Sequence, residues 1–420
     1  MPRAIYIVLD SLGVGGAPDA DSFGDVGANT FGHIAEACEN AQADKPGLRA
    51  GPLKVPNLLR MGLGAAMTQA SGLKLASLAT DGDYTAAWGS AIEQSYGKDT
   101  PSGHFEMTGV PVRFDWLMFP RENPAFPAWL LDFLQKEADV PGFLGMSHAS
   151  GPEIIDRFGL EHMESGKPIL YTSADSVLQI AAHEESFGLE RLYELCAIAR
   201  AHPELEMLGR VIARPFIGDG ASQPFRRTFN RRDLAMPCPG DTLLDLAVAA
   251  GQSVTAIGKV SDIFAGRGIT KKVTAGDNED IVGKLIASIK SDDQSGVIFA
   301  NLVEFDSEFG HRRDVPGYAA ALEWFDTILP EIRAAMQPGD VAVITADHGN
   351  DPTAPGSDHT REQVPAIFFG AGVHPANLGV CDGMADIGQT MAQHLGLGPL
   401  GEGKALFETS MNSSMDVKYD

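Results

Sequence analysis

Apolar residues recur along this chain in short runs separated by segments of helical period. The runs are Ile5-Tyr6-Ile7-Val8-Leu9, residues 253–259 (Ser-Val-Thr-Ala-Ile-Gly-Lys), 297–303, 341–346 and 364–370 (Val-Pro-Ala-Ile-Phe-Phe-Gly). Each reads as a strand. Within 279–291, Ile281, Val282, Leu285, Ile286 and Ile289 form one apolar stripe, and 318–336 and 386–395 read as helices in the same way. Strands alternating with helices predict an α/β fold whose mostly parallel sheet is flanked by helices. Ligands in such folds gather at the carboxyl ends of strands.

The middle of the chain breaks this rhythm. It holds the Pro-rich stretch Arg121-Glu122-Asn123-Pro124-Ala125-Phe126-Pro127, a helical region predicted over 176–201, and the arginine-dense Phe225-Arg226-Arg227-Thr228-Phe229-Asn230-Arg231-Arg232. All five strand–helix units lie outside this span. The pattern predicts an inserted α/β cap domain over 115–235, within a core domain formed by 1–114 and 236–420. The tail after Glu408 is polar and is predicted to fray.

Composition narrows the function classes. The 420 residues carry 32 basic and 56 acidic side chains, a net charge of −24, which argues against nucleic-acid or anionic-membrane binding. Cys38, Cys196, Cys238 and Cys381 form no CxxC pair, so a disulfide framework or zinc ribbon is not expected and a reducing cytoplasm fits. Met1-Pro2-Arg3-Ala4 runs straight into a strand, without the profile of a secretory leader. No apolar run reaches the roughly 20 residues needed to span a bilayer.

The chemistry lies just past the strands. Asp10 closes the first run, Asp306 and His311 follow the run ending at Val303, and Asp347-His348-Gly349-Asn350 follows the run 341–346, with His359 beyond. Three carboxylates and three imidazoles are too many for one ion and suit two. Paired cations about 3.5–4 Å apart clamp the attacking and leaving oxygens of phosphoryl transfer. The set has no thiolate, unlike closed structural zinc sites, and admits Mn, Zn, Fe or Co.

A nucleophile is needed next. Lys98-Asp99-Thr100-Pro101-Ser102-Gly103-His104 is rich in turn residues and reads as a loop. It offers two hydroxyls, Thr100 and Ser102, which metal coordination could activate. Thr100 is favoured, because Pro101 drives the residue before it toward extended geometry. In Tyr171-Thr172-Ser173-Ala174-Asp175-Ser176-Val177, read as a strand end followed by a helix, Ser173 or Asp175 caps that helix, or Asp175 holds sugar hydroxyls. Arg210 and Arg214 share a face at strand spacing and suit a phosphate. Lys259, ending a strand, faces the same region. The Gly13-Val14-Gly15-Gly16 stretch hints at a phosphate loop but lacks its lysine, so a turn is the simpler reading.

Taken together, Asp10 with its following Leu-Gly-Val-Gly, Lys98-Asp99-Thr100, residues 172–177, the Asp306…His311 pair, Asp347-His348-Gly-Asn and His359 resemble the bacterial phosphopentomutases of the alkaline phosphatase superfamily, from residue 3 to about 407. The resemblance implies an alkaline-phosphatase-like core and two Mn²⁺ ions, one held by Asp306, His311 and His359 and the other by Asp10, Asp347 and His348. It implies that Thr100 carries the transferable phosphoryl group, and that Asp175, Ser173, Arg210 and Lys259 grip the substrate. The implied reaction interconverts (deoxy)ribose 1-phosphate and 5-phosphate through a 1,5-bisphosphate, in nucleoside catabolism, with a bisphosphorylated sugar as primer. The partner is then a small sugar phosphate, with no nucleic acid and no membrane; the oligomeric state is left open. Two departures stand out: Pro101-Ser102 and Phe105 in the nucleophile segment, and a longer carboxyl tail. The competing readings are a metal-dependent phosphomonoesterase and a phosphoglycerate-type mutase. A sulfatase fits less well, since Cys238-Pro239-Gly240 lacks the Cys-x-Pro-x-Arg pattern.

Overall fold

The structure, a computed structural model, describes residues 1–173, 176–291, 295–370 and 372–408. The chain forms two compact units, one of Met1–Arg113 with Cys238–Asp420 and one of Phe114–Pro237. In chain order the strands are β1 (Arg3–Leu9) and β2 (Ala87–Ala91) of the first unit, then β3 (Leu144–His148), β4 (Ile169–Thr172), β5 (Val177–His183), β6 (Arg210–Ile217), β7 (Arg226–Arg227) and β8 (Arg232–Ala235) of the second. The first unit resumes with β9 (Ser253–Ile257), β10 (Lys271–Val273), β11 (Gly296–Leu302), β12 (Asp340–Thr345), β13 (Val364–Gly370) and β14 (Ala376–Cys381).

In the first unit eight strands form one sheet in the order β10-β9-β11-β1-β12-β13-β2-β14. The central β1 is buried along its whole length, as its unbroken apolar run requires of a strand covered on both faces. Removing each of its large aliphatic side chains from water is worth roughly 1.5–3 kcal/mol. Helices Asn278–Ser291, Val315–Ala335 and Ala385–His394 match the predicted stripes.

Register explains where chemistry can gather. β1 runs parallel to β11, with Leu9 opposite Leu302, and to β12, with Val8 opposite Thr345. The residues that follow these three strands therefore leave from one edge of the sheet. β13 is antiparallel to β12, with Ile344 opposite Ile367, so its entrance at Val364 lies at that same edge. β2 is antiparallel to β13 in turn, with Ala91 opposite Val364. Segments 10–16, 92–100, 303–311, 346–351 and 359–363 thus share one border.

The second unit is built on the sheet β3-β4-β5-β6-β7, with β8 paired to β6. Here one expectation fails. Residues 177–183 form a strand, fully buried, and helical structure in this region begins only at Glu184, continuing as the α-helix Leu189–Arg200. β4 and β5 are antiparallel neighbours, so Val177 opens a strand and no helix starts there for Ser173 to cap. A short apolar run has no period long enough to separate strand from helix, and burial on both faces decided it. Asp175 and the polar tail after Glu408 lie outside the described residues.

Candidate active site

The six metal-capable side chains converge within the first unit. His348 Nε2 lies 3.7 Å from Asp10 Oδ1 and 3.4 Å from Asp347 Oδ2. His311 Nε2 lies 3.1 Å from Asp306 Oδ2 and 3.2 Å from His359 Nε2, which is 3.5 Å from Asp306 Oδ1. Donor atoms of Asp10, Asp347 and His348 all fall within 4.8 Å of one another, as do those of Asp306, His348 and His359. His348 belongs to both groups and joins them.

The surroundings aim these donors. Each imidazole donates Nδ1–H to a backbone carbonyl: His311 to Ser357 at 2.6 Å, His348 to Gly349 at 3.1 Å and His359 to Lys98 at 2.9 Å. A carbonyl can only accept, so Nε2 is the nitrogen each ring turns toward the cluster and the one that would ligate a cation once deprotonated, the arrangement typical of metal-binding histidines. Asn301 Nδ2 donates to Asp10 Oδ2 at 2.8 Å, the Ser11 amide to Asp347 Oδ1 at 3.1 Å, and Asn350 Nδ2 to Asp306 Oδ1 at 2.7 Å. The remaining oxygens, Asp10 Oδ1 and Asp347 Oδ2, are buried with no hydrogen-bond partner among the described residues. Unpartnered buried carboxylate oxygens beside His348 Nε2 fit a cation.

Electrostatics agree. Burial, then the charges of Asp347 and Asp306, push the Asp10 carboxyl far above its usual range. Burial also opposes ionisation of Asp347, yet His348 and the His104 contact hold it at about 2. Burial lowers His359, but the hydrogen bond and charge of Asp306 outweigh it and raise the imidazole to about 9. The cluster crowds carboxylates whose burial and mutual repulsion disfavour ionisation of Asp10, a cost that a divalent cation would relieve.

Thr100 is placed by a helix, where a loop was expected. Residues Thr100–Glu106 form a helix of about two turns, capped by Asp99, whose Oδ1 accepts from the Ser102 amide at 3.1 Å. Pro101 sits in the first turn, where a missing N–H leaves nothing unsatisfied. Ser102 Oγ donates to Asp99 Oδ2 at 2.8 Å and is turned into that cap. Thr100 Oγ1 lies 3.2 Å from His348 Nε2. Gly103 makes the approach possible: a Cβ there would stand 1.9 Å from the Asp347 carbonyl oxygen. His104 is buried, donates Nδ1–H to the Thr100 carbonyl at 2.9 Å and stacks on Phe299.

The segment leading to Thr100 is pinned from two sides. Arg361 pairs with Glu93 at 2.9 Å and donates to the Gly97 carbonyl at 2.6 Å. Buried Glu106 accepts from the Gln94 and Ser95 amides. Neither residue was singled out from sequence, because their partners are distant in the chain. The glycine stretch 13–16 holds a carboxylate where a phosphate was hinted: Glu362 accepts from the amides of Gly15 at 3.3 Å and Thr30 at 2.9 Å. Burial and Asp351 push Glu362 up to about 7.

Of the expected substrate residues, Lys259 follows Gly258 beyond the end of β9 and opens a short helix, and its charge acts on Asp10. In the second unit Arg210 and Arg214 both lie on β6, and Ser173 follows β4, half-buried. Arg214 Nε donates to Gln179 Oε1 at 3.0 Å. Burial, then Arg231, lowers its pKa, with Arg227 acting in the same sense. The buried Tyr171 hydroxyl feels the same three guanidiniums and has no hydrogen-bond partner among the described residues. Arg227, Arg231 and Tyr171 therefore join Arg214 in a cationic cluster. Beyond the strand spacing of Arg210 and Arg214, the arginine-dense run 225–232 was its sequence signal.

A family model, the metalloenzyme superfamily, matches residues 2–399. A phosphopentomutase of Methylobacterium sp. (strain 4-46) is 57% identical over 94% of this chain and 98% of its own. One of Methylorubrum extorquens is 55% identical over 96% of this chain and 100% of its own. A solved phosphoglycerate mutase of Leishmania mexicana aligns with 97% of this chain and 98% of its own, at 13% identity and a TM-score of 0.46.

Proposed function

The chain belongs to the phosphopentomutases of the metalloenzyme superfamily, and from that premise we propose that Thr100 is the residue through which it moves phosphate. The activity is interconversion of pentose 1-phosphate and pentose 5-phosphate, and it depends on metal. The observation that carries the proposal is the Thr100 hydroxyl 3.2 Å from His348, the imidazole shared by both donor groups.

Asp10, Asp347 and His348 would hold one Mn²⁺, and Asp306, His311 and His359 a second. When bound, the ions lower the pKa of a coordinated hydroxyl and neutralise charge on a transferring phosphoryl group. The resting enzyme carries phosphate on Thr100, placed there by a bisphosphorylated sugar. The free hydroxyl of an incoming pentose phosphate attacks that phosphorus, its bond to Thr100 Oγ breaks, and Thr100 regains a proton as the hydroxyl loses one. The pentose 1,5-bisphosphate then returns its other phosphate to Thr100 and leaves as the isomer. His104, through the Thr100 carbonyl, and Gly103, through its closeness to Asp347, keep the hydroxyl in register. Residues 114–237 form the substrate-binding unit, in which Arg210, Ser173 and the Arg214 cluster bind phosphate and sugar hydroxyls, as does Asp175. Lys259 contributes a cation beside Asp10. The work is placed in the cytoplasm, which suits four buried free thiols; no helix among the described residues is long and apolar enough to cross a membrane.

The test is Thr100→Ala, incubated with ribose 1-phosphate, Mn²⁺ and a bisphosphate primer and followed by phosphorus NMR. The wild type is expected to give ribose 5-phosphate, and the variant none, with metal content unchanged. Isomer formation near the wild-type rate would remove Thr100 from the reaction, and inorganic phosphate alone from the wild type would indicate hydrolysis.

A further inference from the structure

Asp306, His311 and His359 come from two separate turns and stand four to nine residues from the nearest strand end, Leu302 or Val364. Phe305–Gly310 is a helical turn with His311 just past it, and His359 lies on the connection from Asn350 to β13. One side chain ties these turns together. Arg313 donates through Nη1 to the Gly310 carbonyl at 2.9 Å and to Asn350 Oδ1, through Nε to the Gly356 carbonyl at 2.8 Å, and through Nη2 to the Asp358 carbonyl at 2.9 Å. Each contact abuts a metal-capable residue. Gly310 precedes His311, Asp358 precedes His359, and Asn350 in turn donates to Asp306 Oδ1 at 2.7 Å. Gly356 precedes Ser357, whose carbonyl fixes His311 Nδ1 at 2.6 Å.

The backbone shows the same demand. Arg313 has φ +54°, a left-handed conformation that a residue with a Cβ adopts only where its surroundings over-determine it. Five planar N–H donors in a rigid fork are what four acceptors on two segments call for, and a lysine ammonium cannot span them. No such clamp is needed for Asp10, Asp347 and His348, which stand at or within three residues of the ends of paired central strands.

We propose that Arg313, acting through Asn350 and the two turns, is a positioning residue that assembles the Asp306/His311/His359 half of the cluster and leaves the Asp10/Asp347/His348 half alone. The inference rests on the reading of two ions. Its signature is an ion-selective defect: one site weakened and its neighbour untouched. Loss of a group that orients metal ligands typically lowers metal affinity by about 10–100-fold.

The experiment is calorimetric titration of the metal-free full-length protein with Mn²⁺, beside melting of the same metal-free samples. Wild type is expected to take up two ions. Arg313→Met is expected to keep one at wild-type affinity and to bind the other about 10–100-fold more weakly, with its metal-free melting unchanged; His311→Ala, made in parallel, is expected to weaken the same ion. Arg313→Lys should share the defect, and it replaces Arg313→Met if that variant does not fold. Two ions at wild-type affinity in either variant, or both weakened equally, would overturn the proposal. A wild type that takes up only one ion would instead overturn the two-ion reading, and the two failures are thus told apart.

Discussion

Asp10, Asp347 and His348 are almost wholly buried at the ends of neighbouring central strands, whereas Asp306, His311 and His359 ride on turns, with the His311 side chain 41% exposed. The first group is placed by sheet register and the Thr100 helix packed on it. The second is placed by side-chain hydrogen bonds reaching across turns. One half of the cluster thus follows paired strand ends, and the other is held by polar contacts between turns. Substitutions in the two halves should differ in kind.

The sharpest contrast comes from Asp347→Ala. It removes a carboxylate oxygen directed at the cluster and leaves the Ser11 amide unpaired, at a cost of about 1–3 kcal/mol. Transition-state stabilisation of several kcal/mol should go with it, so mutase activity should fall by at least about 10³-fold. Mass-spectrometric metal content and a coupled assay check both losses; activity within tenfold of wild type would place Asp347 outside the chemistry. Gly103→Ala is predicted to act next most strongly. Its new methyl must displace the Asp347 backbone or the Thr100 helix, and misplacement of about 1 Å can cost about 10²-fold in kcat. KM should hold, because no substrate-binding group is altered. An unchanged kcat would show that the helix yields freely.

The smallest effect should appear beside the clamped turns. His33 Nδ1 lies 2.5 Å from Asp351 Oδ2, one residue beyond Asn350. The hydrogen bond to Asp351 raises the His33 pKa against the effect of burial. The folded protein therefore binds this proton more tightly than the unfolded chain. The stabilisation is complete below the ordinary imidazole value of about 6.5 and vanishes as pH climbs through the raised folded value. His33→Gln should cost about 1 kcal/mol at pH 6, since the imidazole is partly exposed and screened, and progressively less toward pH 9. Thermal melts across that range decide it, and a pH-independent difference would mean no ionised pair.

Much of this was legible in the chain. β1, β11, β12 and β13 announce themselves as apolar runs, and a polar ligand directly after such a run stands out because strand interiors hold so few. The stripes at 279–291, 318–336 and 386–395 are as clear. What escaped has physical reasons. Residues 177–183 are buried on both faces and show neither period. Pro101 and Gly103 were counted as loop formers, but Pro is at home in a first helical turn and Gly103 is there for close packing on Asp347. β2 and β14 are short, and the glycine in each breaks the apolar run. Arg313, Arg361 and Glu362 matter through partners that no local pattern reveals.

The shared border of the sheet also sets an order in time. Asp10 leaves the ribosome first and His359 last of the six donors, with more than three hundred residues of synthesis between them. A nascent chain halted before His359 holds five of the six side chains but not the last. On the proposed reading of six donors, ion capture with full affinity waits until nearly the whole chain has been made.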